Sequence, residues 1–566
     1  MSVDARATLV DLGWISLWFV LIIFAGFGLR DPWPADEPRF ASVALDMLHS
    51  GNWLIPHAGG DLYQDKPPLH FWLMAIGYCL TGSLRAGFLM PSMLASLGTL
   101  WLVYDLLRRL HGREAARLAA ITLVCCVQYV MTTRSAQIDA TLIFFCTLAL
   151  WALLRHLLLG APAVFALLGA FAAGLGVIDK AVGFLALALL PLAALLARRF
   201  GTTAIPRATW WQVPVVFVLT IMLWLVPMLL HVASVGSPEL LAYRDELLFK
   251  QTVMRYTQAW HHIRPWHYYL VEVIPALWLP LSALLFCLMP RWRDDWRERR
   301  MAVWLPLLWV LLVIVFFSLN TGKRGVYVLP ALPALVMAAA PHLPQLFARR
   351  SVQRLSLALA LLLLVPGVLV ASGSVLGVGV VKELIEGSEL VSLLPVYGFA
   401  IAATAAWLVA LRWRPLLAWP LVLACLTVSW GVGIAPQING ERSASTFVRQ
   451  MLAQVPREAE LGLLAYREQY LLYLDRDVVN FGHARWREGD AEAFDAARWL
   501  AGDSKRILLV AERHLDRCFA VNPRQRVGES SDEQWFLVTG IPASDCIARG
   551  NANTVIRYQP PLRVLD

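Results

Sequence analysis

Residues 36–41 read Asp36-Glu37-Pro38-Arg39-Phe40-Ala41, and residues 63–72 read Tyr63-Gln64-Asp65-Lys66-Pro67-Pro68-Leu69-His70-Phe71-Trp72. Met47, Gly51 and Trp53 stand between them. This polar stretch separates an apolar run at 14–29 from one at 87–107. Each run is near the ~20 residues a helix needs to cross a bilayer. The stretch therefore reads as a long loop, 30–68, between the first two spans of a membrane protein.

Further apolar runs fall at 115–131, 139–158, 161–178, 182–198, 212–233, 268–289, 302–318, 326–341, 354–372, 391–411 and 416–434. They bring the expected number of spans to thirteen. The run 69–82 is too short to cross and reads as an interfacial helix. Composition agrees: 58% of the 566 residues are hydrophobic and 16% are charged, with a mean hydropathy of +0.59. Soluble domains carry about 25% charged residues, so an ordinary soluble enzyme is excluded. A net charge of +9 would suggest nucleic acid for a soluble chain, but here the arginines sit in short clusters between apolar runs. No nucleic-acid partner is expected.

Those clusters set the orientation. Arg108, Arg109 and Arg113; Arg198, Arg199 and Arg207; Arg291 to Arg300; Arg349, Arg350 and Arg354; and Arg412 and Arg414 occupy alternate connections. By the positive-inside rule these face the cytoplasm. The other connections and the C-terminus face the opposite side. After residue 436 hydropathy drops. Helical patterns at 443–454 and 490–501, with strand-like runs at Leu461–Tyr466, Val478–Phe481, Arg506–Ala511 and Trp535–Thr539, predict a small α/β domain. The expected architecture is an all-α polytopic membrane domain over 1–436, with interfacial helices in its first loop, followed by a periplasmic α/β domain over 437–566. There is no Gly-rich phosphate loop and no Cys/His metal spacing, which argues against an ATP-driven pump.

Ionisable residues are costly in hydrocarbon, so their placement at span ends is informative. Asp36, Glu37, Arg39, Asp65, Lys66, Asp139, Asp179, Lys180, Glu272, Lys323 and Arg324 all fall on the non-cytoplasmic side, as do Lys250 and Lys382. Taken singly, each is a solvated loop charge. Together they suit a cavity for a lipid with a charged head: cations hold a phosphate while a carboxylate orients or deprotonates an acceptor.

The 30–68 loop resembles the first periplasmic loop of the bacterial lipid A aminoarabinose transferases, ArnT-like members of the GT-C membrane glycosyltransferases and the protein O-mannosyltransferase superfamily. Their pattern is D-E-x-R-Y-A, then M, G and W at these intervals, ending Y-F-E-K-P-x-x-x-Y-W. Every interval matches. Phe40, Gln64, Asp65 and Phe71 depart in identity. Asp139 resembles the second periplasmic carboxylate of the class, and Lys323-Arg324 with Tyr327 resemble its K-R-x-x-Y segment. Lys180 resembles the lysine of a T-K-G motif, from which Asp179 and Ala181 depart.

The resemblance implies transfer of a sugar, most specifically 4-amino-4-deoxy-L-arabinose, from undecaprenyl phosphate to lipid A at the periplasmic face of the bacterial inner membrane, a modification tied to polymyxin resistance. It implies Lys66 as the cation on the leaving phosphate, with Arg324 and Lys323 behind it. Asp36 is the first catalytic carboxylate and Asp139 the second. Glu37, Arg39, Tyr63, Lys180, Arg255 and Tyr327 complete the substrate contacts. With a phosphate acceptor Asp36 positions groups or binds the ammonium of an amino sugar; with a hydroxyl acceptor it is the general base. No cofactor is required. A divalent cation held by Asp65 and His267 is a lesser alternative. Cys518 and Cys546, alone in the polar C-terminal part, could form one disulfide. Two other functions stay open: a sibling transferase with another glycan or protein acceptor, and a lipid flippase. Membrane lipids are partners in every case.

Overall fold

The computed structural model describes residues 3–201, 205–248, 262–388, 390–482 and 485–561. The chain divides into two compact units. One comprises Met1–Leu29, Asp65–His70 and Leu89–Pro436; the other comprises Arg30–Gln64, Phe71–Phe88 and Gln437–Asp566.

The first unit is a helical membrane domain. Among the described residues ten helices are long and apolar enough to cross a bilayer, or twelve if each of two bent pairs is one span. The bent pairs are Arg113–Val124 with Val127–Thr133, at 64°, and Tyr269–Leu277 with Ser282–Arg297, at 106°. The expected span at 326–341 is instead a shorter helical stretch, Ala331–Phe347, broken by a 3₁₀ turn at Ala340–His342. Pro341 and Pro344 explain the break, because each removes a backbone donor and crowds the preceding turn.

A broken helix frees backbone polar groups that lipid cannot satisfy. The two bends satisfy one another. Val127 N–H donates to the Leu279 carbonyl at 3.0 Å, and Trp278 Nε1 donates to Gln128 Oε1 at 2.6 Å. Gln128 Nε2 in turn donates to the Gly325 carbonyl at 2.7 Å, which pins the turn carrying Lys323, Arg324 and Tyr327. Arg134 does similar work elsewhere: its guanidinium donates to the carbonyls of Ile22 and Ala25 at 2.8 and 2.9 Å and of Thr427 at 3.2 Å.

The second unit is built on a six-stranded sheet, with strands β3 (Glu460–Leu463), β4 (Val478–Asn480), β5 (Arg506–Ala511), β6 (Arg524–Ser530), β7 (Glu533–Val538) and β8 (Ile556–Tyr558) in the order β6-β7-β5-β3-β4-β8. The central strands β5, β3 and β4 are parallel; the others pair antiparallel. Alternate residues enter two cores, as the period of two requires. Leu461, Leu463, Leu509, Trp535 and Leu537 pack with Phe447 and Tyr470, whereas Leu508, Val510 and Val538 pack with Phe481 and Trp499. At Gly462 a Cβ would stand 2.5 Å from the Trp499 ring, so only glycine lets that ring lie on β3. Cys518 and Cys546 form a disulfide.

Residues 30–64 of the first loop belong to this unit, whereas 65–68 belong to the first. Helix Glu37–Ser50 ends on a left-handed Gly51, and a small hairpin follows, β1 (His57–Ala58) with β2 (Asp61–Leu62). Asn480 Nδ2 donates to the Gly59 carbonyl at 2.9 Å, Tyr558 O–H to Asp46 Oδ1 at 3.0 Å, and Asn439 Nδ2 to Asp31 Oδ2 at 2.7 Å. Asp46 is buried, and that burial pushes its carboxyl up to about 7 against the pull of Tyr558 and the Gly59 and Gly60 amides.

Candidate functional site

In the first unit two antiparallel spans bring their charged ends together. Helix Ile138–Leu159 starts after extended Gln137, with Asp139 in its first turn, where the helix dipole favours a carboxylate. Helix Ala163–Lys180 ends on Lys180, where it favours a cation. The chain then reverses so tightly that a Cβ on Gly183 would stand 2.3 Å from the Gly176 carbonyl carbon. Lys180 Nζ reaches Asp139 Oδ1 at 2.6 Å, with both side chains mostly buried. It also lies 5.1 Å from the centre of the Tyr327 ring, a cation–π distance. Three residues that the sequence holds far apart thus form one cluster.

A second contact joins the same helix ends. Thr141 Oγ1 lies 2.9 Å from both carboxylate oxygens of Asp179, and His70 Nδ1 lies 3.0 Å from Thr141 Oγ1. His70 and Asp179 are fully buried. Loss of hydration pushes the His70 imidazole down to about 3, so it is neutral. Sequence reasoning passed over His70 and Thr141. Their only signal is a polar residue at the head of an apolar run, and it gains meaning only from the contact.

The remaining candidates fall into different situations. Lys66 is half-buried and Asp65 exposed in the same unit. Lys323 is 4% exposed, and its ammonium donates to the carbonyls of Arg264, at 3.0 Å, and Asn320. It braces its loop rather than reaching outward as expected, and burial lowers its pKa. Arg324 is exposed and Tyr327 half-buried. Arg255 lies outside the described residues. Asp65 and His267 are both exposed, and among the described residues no three His, Cys, Asp or Glu side chains are grouped to hold a metal. The expected metal pair has no third ligand beside it there.

In the second unit Asp36 caps the start of helix Glu37–Ser50, its carbonyl accepting from Phe40 N–H at 3.1 Å. Glu37 and Arg39, expected on substrate, are engaged by protein groups. Arg30 grips Glu37 with two N–H groups at 2.5 and 2.7 Å, and Trp33 N–H adds a third bond at 2.8 Å. Arg39 Nε pairs with Glu468 Oε1 at 2.6 Å. Burial opposes the Arg39 charge, but Glu468 outweighs it and raises the pKa. Tyr63 is 2% exposed, with its ring edge-on to Phe71 at 5.8 Å. That packing differs from the open stacking face expected for a sugar.

Ten to twelve candidate spans among the described residues, a six-stranded α/β sheet in the second unit and opposite charges at the ends of two adjacent spans are the parts found in GT-C type membrane glycosyltransferases. The sequence profile of the dolichyl-phosphate-mannose-protein mannosyltransferase family matches residues 65–231. The undecaprenyl phosphate-alpha-4-amino-4-deoxy-L-arabinose arabinosyl transferase of Pseudomonas aeruginosa (strain UCBPP-PA14) is 31% identical over 435 residues, covering 73% of this chain and 72% of its own. The transferase of the same name from Pectobacterium carotovorum is 28% identical over 579 residues, covering 96% and 97%. The crystal structure of ArnT from Cupriavidus metallidurans bound to undecaprenyl phosphate superposes with a TM-score of 0.70 at 17% identity, over 95% of this chain and 98% of that one. The chain belongs to the undecaprenyl phosphate-aminoarabinose arabinosyl transferase family.

Proposed function

We propose that this protein transfers 4-amino-4-deoxy-L-arabinose from undecaprenyl phosphate to a phosphate of lipid A at the periplasmic face of the inner membrane. The observation that carries the proposal is the Asp139–Lys180 pair over Tyr327. Opposite charges buried at matching ends of two spans are expensive, and in membrane proteins such groups are kept for function. The Cys518–Cys546 disulfide supports an oxidising compartment for the C-terminal sheet, and the arginine clusters support the opposite face as cytoplasmic.

In the reaction the bond between the anomeric carbon and the undecaprenyl phosphate oxygen breaks. Undecaprenyl phosphate departs with the electron pair, and an acceptor phosphate oxygen forms the new bond. Lys66 and Lys180 are assigned to the negative charge that develops on the phosphate, a task for fixed cations in a poorly hydrated site. Arg324, exposed on its pinned turn, is assigned to lipid phosphate. Asp139 holds Lys180. Asp36 is assigned on the family pattern as the carboxylate that orients the acceptor or binds the sugar ammonium; an anionic phosphate acceptor needs no strong base. Glu37 and Arg39 serve by holding the loop that carries Asp36.

The test is mass spectrometry of lipid A from a host that makes the aminoarabinose donor but lacks its own transferase. Wild type should add the aminoarabinose mass, and Asp36→Ala and Lys66→Ala should not, at equal membrane levels. A well-inserted wild type that leaves lipid A unmodified would reject the proposal in favour of a sibling with another sugar or acceptor.

A further inference from the structure

Beside the Asp139–Lys180 pair runs a buried polar chain that the proposed reaction does not use. His70 Nδ1 meets Thr141 Oγ1 at 3.0 Å, and Thr141 Oγ1 meets the Asp179 carboxylate at 2.9 Å. All three side chains are essentially inaccessible to solvent. A hydroxyl has one proton, and a buried carboxylate requires a donor. The Thr141 hydroxyl, which also lies 2.8 Å from the Ile138 carbonyl at the head of its own helix, therefore links His70 and Asp179 through a single oxygen. Three apolar residues would fill this space without the cost of stripping water from polar groups.

The location of the three residues gives the chain a use. Thr141 is two residues from Asp139 and Asp179 is one residue from Lys180, so the same two helix ends are clamped twice. His70 follows Lys66 by four residues, with Pro67 and Pro68 between them. Proline fixes its own φ and restricts the residue before it, so little backbone freedom separates His70 from Lys66. Anchoring His70 to Thr141 therefore limits where Lys66 can stand relative to the clamp.

We infer that His70, Thr141 and Asp179 are positioning residues that set Lys66 against the Asp139–Lys180 pair. The inference rests on the proposed function, in which Lys66 and Lys180 act on one phosphate. A misplacement of about 1 Å at a reacting group can cost up to about a hundredfold, so a tenfold loss is the expected scale.

The experiment measures binding of undecaprenyl phosphate and aminoarabinose transfer by the purified full-length protein. His70→Leu and Thr141→Val should each weaken both by about tenfold, and Thr141→Ser should restore them to within about twofold. In a Lys66→Ala background, where binding alone is compared, His70→Leu should weaken binding of undecaprenyl phosphate less than about twofold, because its effect passes through Lys66. Should His70→Leu not accumulate, His70→Gln, which keeps an N–H donor, should retain most of the binding in the wild-type background. Equal losses from His70→Leu with and without Lys66, or no loss in the wild-type background, would overturn the positioning role and leave the proposed function intact. Binding coupled to His70 without aminoarabinose transfer would overturn the proposed sugar and keep the positioning role. A wild type that does not bind undecaprenyl phosphate would overturn both.

Discussion

Two acid–base pairs in this molecule look alike in sequence and differ in what they can do. In the second unit Glu37 is gripped by both N–H arms of Arg30 and by the Trp33 amide. In the first unit Lys180 meets Asp139 through one contact and leans on the Tyr327 ring. A planar bidentate pair fixes geometry, and its hydrogen bonds are shorter and stronger than neutral ones. An ammonium on a four-carbon stem can turn from a carboxylate to a phosphate at little cost. The first pair is an anchor; in the proposed function the second is a working contact.

That contrast can be broken first at Arg30. Arg30→Ala leaves the buried Glu37 carboxylate without its cation and should cost about 3–5 kcal/mol of stability, seen as earlier thermal unfolding of the purified protein. Next, Lys180→Ala should lower transfer about 10²–10³-fold while melting shifts by only a few degrees. If Lys180→Ala unfolds the protein and Arg30→Ala does not, the roles assigned to the two pairs are reversed.

Smaller effects sharpen the second unit. The Cys518–Cys546 bridge closes a 28-residue separation, so replacing both cysteines with serine should cost about 3 kcal/mol, read as lower resistance of the C-terminal sheet to proteolysis. Asp46 gives a pH signature. Its folded pKa of about 7 lies above the unfolded carboxylate value. The stability it contributes is therefore present at acid pH and is lost as pH rises through 7. The groups facing it are Tyr558, Tyr466 and the Gly59–Gly60 amides. Asp46→Asn should stabilise the protein relative to wild type by about 2 kcal/mol more at pH 8 than at pH 5. An unchanged difference between those pH values would mean that Asp46 is ionised in the fold.

The same two regions show what could be read early. Asp139 and Lys180 stood out because charges at the ends of apolar runs are rare. Their meeting with Tyr327 required helices that the sequence separates by some forty to nearly two hundred positions. Lys323 carried the same signal as Lys180, yet it is spent on the carbonyls of Arg264 and Asn320. Composition cannot distinguish a lysine that braces a loop from one that faces a ligand. The hydropathy pattern does not predict strands β6 and β8. β6, reading Arg524 to Ser530, is mostly exposed at a sheet edge and lacks the apolar alternation that reveals half-buried strands.

The sequence by itself determined that the chain spans a membrane, where most helices lie, that a sheet follows residue 436, and that the first loop bears a family's pattern. These follow from local properties: the length of apolar runs, the period of hydrophobicity and fixed spacings. Only the tertiary structure decided that Glu37 and Arg39 are anchored, that the segment 30–64 belongs with the C-terminal sheet in one compact unit, and that His70 meets Asp179 through Thr141. The physical reason is that a charge or a hydroxyl takes its role from the partner that satisfies it, and the partner is chosen by packing between segments remote in the chain.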